Sequence, residues 1–164
     1  MKYNKPQTEN HSVSQLHPSC LKDLNQIILD EDDSLVVLPT IFNNTTVLDL
    51  DCVEIIDAKN ERRTRNRTMD CTFAISNPIN TEMLLVELRF NYQNLSNLNR
   101  TVLIEKVAGS LLALGNTINI NSNYILIFQP HLVQQAINRL QRMNPQIPNN
   151  YIAMDLNQLI NTYF

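Results

Sequence analysis

Apolar positions along the chain follow two rhythms. In "MDCTFAISNPINTEMLLVELRF", residues 69–90, two apolar runs flank a polar hinge, which predicts two extended segments joined by a turn. "TTVLDLDCVEIID" (45–57) alternates well enough to read as a strand before them, with "AKNERRTRNR" (58–67) as its solvated connection. Three consecutive strands with short polar connections predict an antiparallel meander. "SLVVLPTIF" (34–42) reads as a short strand stopped by Pro39, and "NYILIFQP" (123–130) as a compact buried strand. Elsewhere the spacing is helical. Leu21, Leu24 and Ile28 line one helix face, and Pro18 suits the first turn. The acidic run at 30–33 ends that helix, against its dipole. "TVLIEKVAGSLLALG" (101–115) is a helix closed by Gly115, with a wide apolar face of Leu103, Ile104, Val107, Ala108, Leu111 and Leu114. "HLVQQAINRLQRM" (131–143) is amphipathic through Val133, Ala136, Ile137 and Leu140. "YIAMDL" (151–156) reads as a last strand, with Asp155 capping a short terminal helix.

This order predicts an α/β (α+β) fold: a central mixed sheet containing the antiparallel three-strand meander, with helices on both faces. The final strand–helix–strand is expected to be a right-handed parallel crossover. Residues 1–15 are polar and aperiodic and read as an arm; residues 16–164 read as a single domain, long enough for a real core.

Composition narrows the function. A net charge of -3 gives no global attraction to nucleic acid or to an anionic membrane, and leaves a local basic patch open. No apolar run approaches the roughly 20 residues of a membrane span, and no apolar signal core opens the chain. A cytoplasmic protein with no membrane partner is expected. The cysteines, Cys20, Cys52 and Cys71, are odd in number and form no CxxC pair, so neither a disulfide framework nor a zinc site is expected. Cys52 and Cys71 fall in strand-like runs, as buried free thiols often do. His11, His17 and His131 are scattered, and two glycines exclude a Gly-rich phosphate loop. Abundant asparagine is a compositional bias.

Chemistry enters with the charges inside the apolar runs. Asp70 lies in the first, Glu87 and Arg89 in the second, and acids in buried strands are costly unless paired. Residues two apart on a strand share a face, so Glu87 and Arg89 point together while Leu84, Val86, Leu88 and Phe90 point oppositely. Asp70 must share the Glu87 face, and a one-residue slip in register would reverse it.

Asp70 in one strand, "ELR" at 87–89 in the next, then the helix at 101–114, resembles the PD-(D/E)XK nuclease superfamily. The likeness spans roughly residues 16–130. It implies a restriction-endonuclease-like core of helix, three-strand meander, helix and further strand. Asp70 stands where that pattern has the Asp of the second strand, and Glu87 where it has the second acid. Arg89 stands in place of the usual Lys, and Met69 in place of the usual Pro. The resemblance implies Mg²⁺ held by Asp70 and Glu87, a catalytic trio completed by Arg89, and hydrolysis of DNA or RNA. Mg²⁺ binds through oxygen at about 2.0–2.1 Å, polarises a phosphate and helps form hydroxide from water. Arg89 stays protonated and cannot act as a base. It is suited to clamp a phosphate, or to bridge Glu87 or Asp70 in the place of a metal.

Around this trio stand further candidates. Glu54 is expected opposite Asp70 as a third acid, with Asp30 and Glu31 as weaker ones on the first helix. Helical spacing puts Lys106 roughly 120° from the centre of the apolar face, so it reads as solvated. Arg62, Arg63, Arg65 and Arg67 read either as a phosphate grip beside the site or as a soluble hairpin end. Arg139 and Arg142 read as solvation of an outer helix face.

Two alternatives remain open. Asp70, Glu87 and Arg89 could be a structural ion-pair cluster, in a catalytically inactive protein-binding module of the immunity or antitoxin type. Its mixed patch of 30–33 with Asp49 and Asp51 would meet a basic protein partner. The third reading is an oligomer subunit with no site of its own.

Overall fold

A computed structural model describes residues 1–31, 38–115 and 119–164. Its strands are β1 (Lys2–Tyr3), β2 (Leu21–Asp23), β3 (Thr46–Asp49), β4 (Cys71–Ser76), β5 (Thr81–Arg89), β6 (Ile120–Phe128) and β7 (Tyr151–Met154). Its helices are α1 (Lys5–Glu9), α2 (Ser12–Leu16), α3 (Leu24–Glu31), α4 (Leu50–Glu61), α5 (Arg100–Leu114), α6 (Val133–Gln141) and α7 (Leu156–Tyr163). The strands form one mixed sheet in the order β2-β3-β4-β5-β6-β7, with β1 also paired to β4. Pairing is antiparallel from β2 to β5 and parallel from β5 to β7. One edge of β4 is shared: β3 takes Thr72 and Cys71, and β1 takes Ser76 and Ile75.

β5 shows why the sheet is covered on both sides. Its residues from Met83 to Leu88 are all buried, as expected of a central strand packed on two faces. Leu84, Val86 and Leu88 pack with Leu24, Ile27 and Ile28 of α3 and Leu159 of α7. Leu85 packs in the opposite core, with Val53 of α4, Leu103 and Val107 of α5, and Ala136 of α6. The α+β class with a mixed sheet and helices on both faces is therefore as expected. So is the end of the chain: β7 pairs parallel to β6, and Asp155 caps α7 in a reciprocal box with Gln158.

Four local readings change. Segment 45–57 is not one strand, because Asp49 ends β3 and caps α4 by accepting the Cys52 N–H at 2.8 Å. The three antiparallel neighbours β3, β4 and β5 are thus joined first by a helix rather than a short polar link. The first fifteen residues are not a free arm. The Tyr3 ring packs on Phe73 and Phe164, and the buried Thr8 hydroxyl accepts the Ala74 N–H at 2.8 Å. The helix expected from Pro18 begins only at Leu24, after a single 3-10 turn at Pro18–Cys20 and then β2. Of the strand expected at 34–42, residues 34–37 lie outside the described residues, and Thr40–Phe42 is a 3-10 turn after Pro39.

The cysteine reading also changes. Cys20 and Cys52 form a disulfide with Cα atoms 5.5 Å apart, while Cys71 is free and buried. Pairing of β2 with β3, and the immediate entry of β3 into α4, bring those two sulfurs together. Among the described residues no helix is long and apolar enough to cross a membrane.

Candidate functional site

The ladder between β4 and β5 pairs Cys71 with Val86. One step further sets Asp70, the residue before β4, across from Glu87. The Asp70 side chain then extends the ladder itself: Oδ2 accepts the Leu88 N–H at 2.6 Å. Its carbonyl accepts the Leu50 N–H at the start of α4 at 3.2 Å. Glu87 has no exposed surface and Asp70 is 6% exposed.

The group that joins them is Lys106 of α5. Its Nζ donates to Asp70 Oδ1 at 3.1 Å and to Glu87 Oε1 and Oε2 at 2.6 and 2.8 Å. Arg89 Nη2 lies 2.6 Å from Glu87 Oε1, and its guanidinium stacks 5.3 Å from the centre of the Tyr92 ring. Two acids and two cations thus form one half-enclosed cluster. Burial, and then the negative charge of Asp70, push the Glu87 carboxyl upward, against the pull of Lys106 and Arg89. Burial likewise raises Asp70, against the pull of Lys106. Burial works against the Lys106 ammonium, but Glu87 and Asp70 outweigh it and hold the ammonium above its ordinary range.

Docking of α5 sets this geometry. Asn99 caps the helix, its side chain accepting the Thr101 and Val102 N–H groups at 2.8 and 3.3 Å. Ser110 Oγ accepts the Met69 N–H and donates to the Lys106 carbonyl, both at 2.8 Å. Gly109 lies so close to the Arg67 carbonyl that a Cβ would sit 2.0 Å from its oxygen. The segment leading into Asp70 is therefore laid along α5.

This contact overturns the solvated reading of Lys106. Buried residues of α5 are Leu103, Val107, Gly109, Ser110 and Leu114, whereas Ala108, Leu111 and Leu112 are exposed. The inward face is rotated away from the one that apolar residues alone suggest. Lys106, three before Gly109 and four before Ser110, lies on it. The available signal was the small, polar pair Gly109–Ser110, a place for backbone to approach.

Other candidates fall differently. Glu54 is fully buried on α4 and accepts from Arg63 Nη2 at 3.1 Å and from the Asn66 N–H at 2.6 Å; its partners are the 62–66 loop, not Asp70. Of the four arginines, Arg63 also meets Glu61 and Arg67 meets Glu105 at 3.0 Å. Arg65 is exposed, and Arg62 is exposed at the left-handed end of α4 with φ 54°. Asp49 and Asp30 both lie against Lys22, at 2.8 and 3.7 Å, and Asp51 accepts the Thr68 hydroxyl at 2.6 Å. Glu31, the last residue of α3, sits within the field of the cluster: burial and then Asp70 raise its pKa, while Lys106 and Arg89 oppose the rise. Asp32 and Asp33 lie outside the described residues.

Among the described residues no group of three or more His, Cys, Asp or Glu side chains is placed to hold a metal ion. Asp70 and Glu87 are two acids, and Mg²⁺ is commonly bound through one or two protein carboxylates with water and phosphate oxygens filling its shell. The two already converge on one cation, the Lys106 ammonium. Compared with protein-family models, curated proteins and solved structures, the chain matches none.

Proposed function

We propose that Asp70, Glu87 and Lys106 form a phosphodiester-hydrolysing site of the PD-(D/E)XK kind, with the lysine supplied by α5 rather than by the third strand of the meander. The observation that supports this most is the convergence of one ammonium on two buried carboxylates, one on β5 and one on the residue that leads into β4. Asp70 and Glu87 would hold Mg²⁺, which when bound polarises the scissile phosphate and acidifies water. In this reading Lys106, once freed from the two carboxylates, would orient the attacking water and stabilise negative charge as it develops. Arg89, fixed by Glu87 and Tyr92, takes the phosphate-clamping role rather than that of a base. Exposed Arg62 and Arg65 are the members of the basic run left to contact the backbone of DNA or RNA. A cytoplasmic location is the part of this reading that the Cys20–Cys52 disulfide argues against, because such bonds are rare where glutathione keeps thiols reduced.

Incubation with labelled DNA and RNA in Mg²⁺ or Mn²⁺ tests the proposal. Cleavage by the native chain and its loss in Asp70→Asn, Glu87→Gln and Lys106→Met are expected. Equal cleavage by native and Asp70→Asn proteins would reject it.

A second reading, a catalytically silent protein-binding module such as an immunity or antitoxin-type protein, draws on one observation. The four charges of the cluster satisfy one another. Its acidic patch is weaker than the sequence suggests, since Asp30 and Asp49 are engaged by Lys22. No cleavage under any ion, together with a stoichiometric complex with a neighbour-encoded basic protein, would favour this second reading.

A further inference from the structure

We propose that Lys106 is a tethered counter-ion of the Asp70–Glu87 pair, and that a divalent cation gains the site only by displacing its ammonium. The inference rests on reading those acids as the metal-binding pair, and it adds a gate to that site.

A count of oxygens leads to it. Asp70 Oδ2 is engaged by the Leu88 N–H and Oδ1 by Lys106. Glu87 Oε2 is engaged by Lys106, and Oε1 by both Lys106 and Arg89. Every carboxylate oxygen of the pair therefore has a donor, and Lys106 supplies all three hydrogens that an ammonium has. A divalent ion in contact with the same oxygens would sit against that ammonium in a poorly screened setting, where like charges repel strongly. The pair holds one cation or the other.

The means of exchange is also visible. The Lys106 side chain retains 17% of its exposure, so it has a route to solvent. Its backbone is anchored, because Ser110 donates to its carbonyl and holds Met69. Exchange thus needs rotation about side-chain bonds, not movement of α5. Lys106 neutralises the carboxylates when no ion is present. Once released it remains within a side chain's length of the site, available to an incoming phosphate.

Calorimetry with Mn²⁺ on the native chain and on Lys106→Met tests the idea without any cleavage assay. The variant is expected to bind roughly tenfold tighter or more, the gain from removing a competitor held by charge-assisted hydrogen bonds. Equal or weaker binding by a folded Lys106→Met chain overturns the proposal, as does no uptake by either protein. Because that variant leaves a buried acid unpaired and could fail to fold, a second measurement uses the native chain. Reductive methylation of Lys106, followed by mass spectrometry, should run several-fold faster with saturating Mn²⁺. An unchanged or slower rate overturns the proposal. Ion uptake with release of Lys106, but no cleavage of DNA or RNA, would retire the nuclease reading and leave this one standing.

Discussion

Lys106 meets Glu87 between α5 and the sheet, its ammonium 2.6 and 2.8 Å from the two oxygens of a carboxylate with no exposed surface. Charge balance predicts the energetics. Removing the ammonium leaves Asp70 and Glu87 facing Arg89 alone, one negative charge in excess. Breaking a buried pair in this way costs roughly 3–5 kcal/mol, so Lys106→Met should show a large drop in urea stability. The double variant Glu87→Gln/Lys106→Met, in which the charge of Asp70 is balanced at a distance by that of Arg89, should be the more stable of the two. A double variant less stable than the single one would mean the four charges do not act as a unit.

Gly109→Ala runs against helix propensity. Alanine normally favours a helix by about 1 kcal/mol over glycine, but here its Cβ would meet the Arg67 carbonyl oxygen at 2.0 Å. We expect a net loss of roughly 1–3 kcal/mol, as for other overpacked sites, measured by thermal or urea denaturation. A stabilised variant would show that α5 does not press on the segment before Asp70.

The Cys20–Cys52 disulfide closes a sequence separation of 32 residues. Loop-closure entropy gives roughly 3–4 kcal/mol for a bridge of that span, so dithiothreitol should lower the urea midpoint markedly. Alkylation under denaturing, non-reducing conditions should label only Cys71, the free thiol, and labelling should extend to all 3 cysteines after reduction. More than one label without reductant would remove the bridge from the native protein.

His11 couples the N-terminal helices to pH. Its Nδ1 accepts the Val13 N–H at 3.2 Å as the cap of α2, and burial lowers its pKa from 6.5. A histidine held neutral in the fold binds its proton more readily when unfolded, so stability is lost as pH falls below about 6.5. The thermal midpoint should therefore decline from neutral pH toward pH 5 by more than in His11→Asn, which keeps a cap acceptor without the titration. Equal slopes in the two proteins would dismiss His11 as the cause.

The convergence of Asp70 and Glu87 was legible because strand periodicity is strict. Once Cys71 and Val86 are neighbours, the face of each acid follows from parity. Lys106 was not legible from apolar residues alone, because the inward side of α5 includes a glycine and a serine pressed on backbone. The break between β3 and α4 left a signal that alternation hid. Asp49 as cap, Asp51 in the first turn and Lys59 in the last mark a helix. The N-terminal segment carried a similar mark in Asn4, whose side chain accepts the Gln7 N–H at 3.1 Å, followed by Pro6 in the first turn.

What the chain determined unaided was local and periodic: the strands around Asp70 and Glu87, the terminal strand and capped helix, and the shared face of the two acids. Nearest neighbours along the backbone suffice for these, since pleat and helical pitch are properties of a few residues. Folding in three dimensions decided what lies between elements: the rotation of α5 that turns Lys106 inward, the meeting of Cys20 with Cys52, and the seating of Tyr3 against Phe73. Those contacts join residues distant in sequence. Their partners are chosen by which surfaces can close over one another while pairing most buried charges and N–H groups.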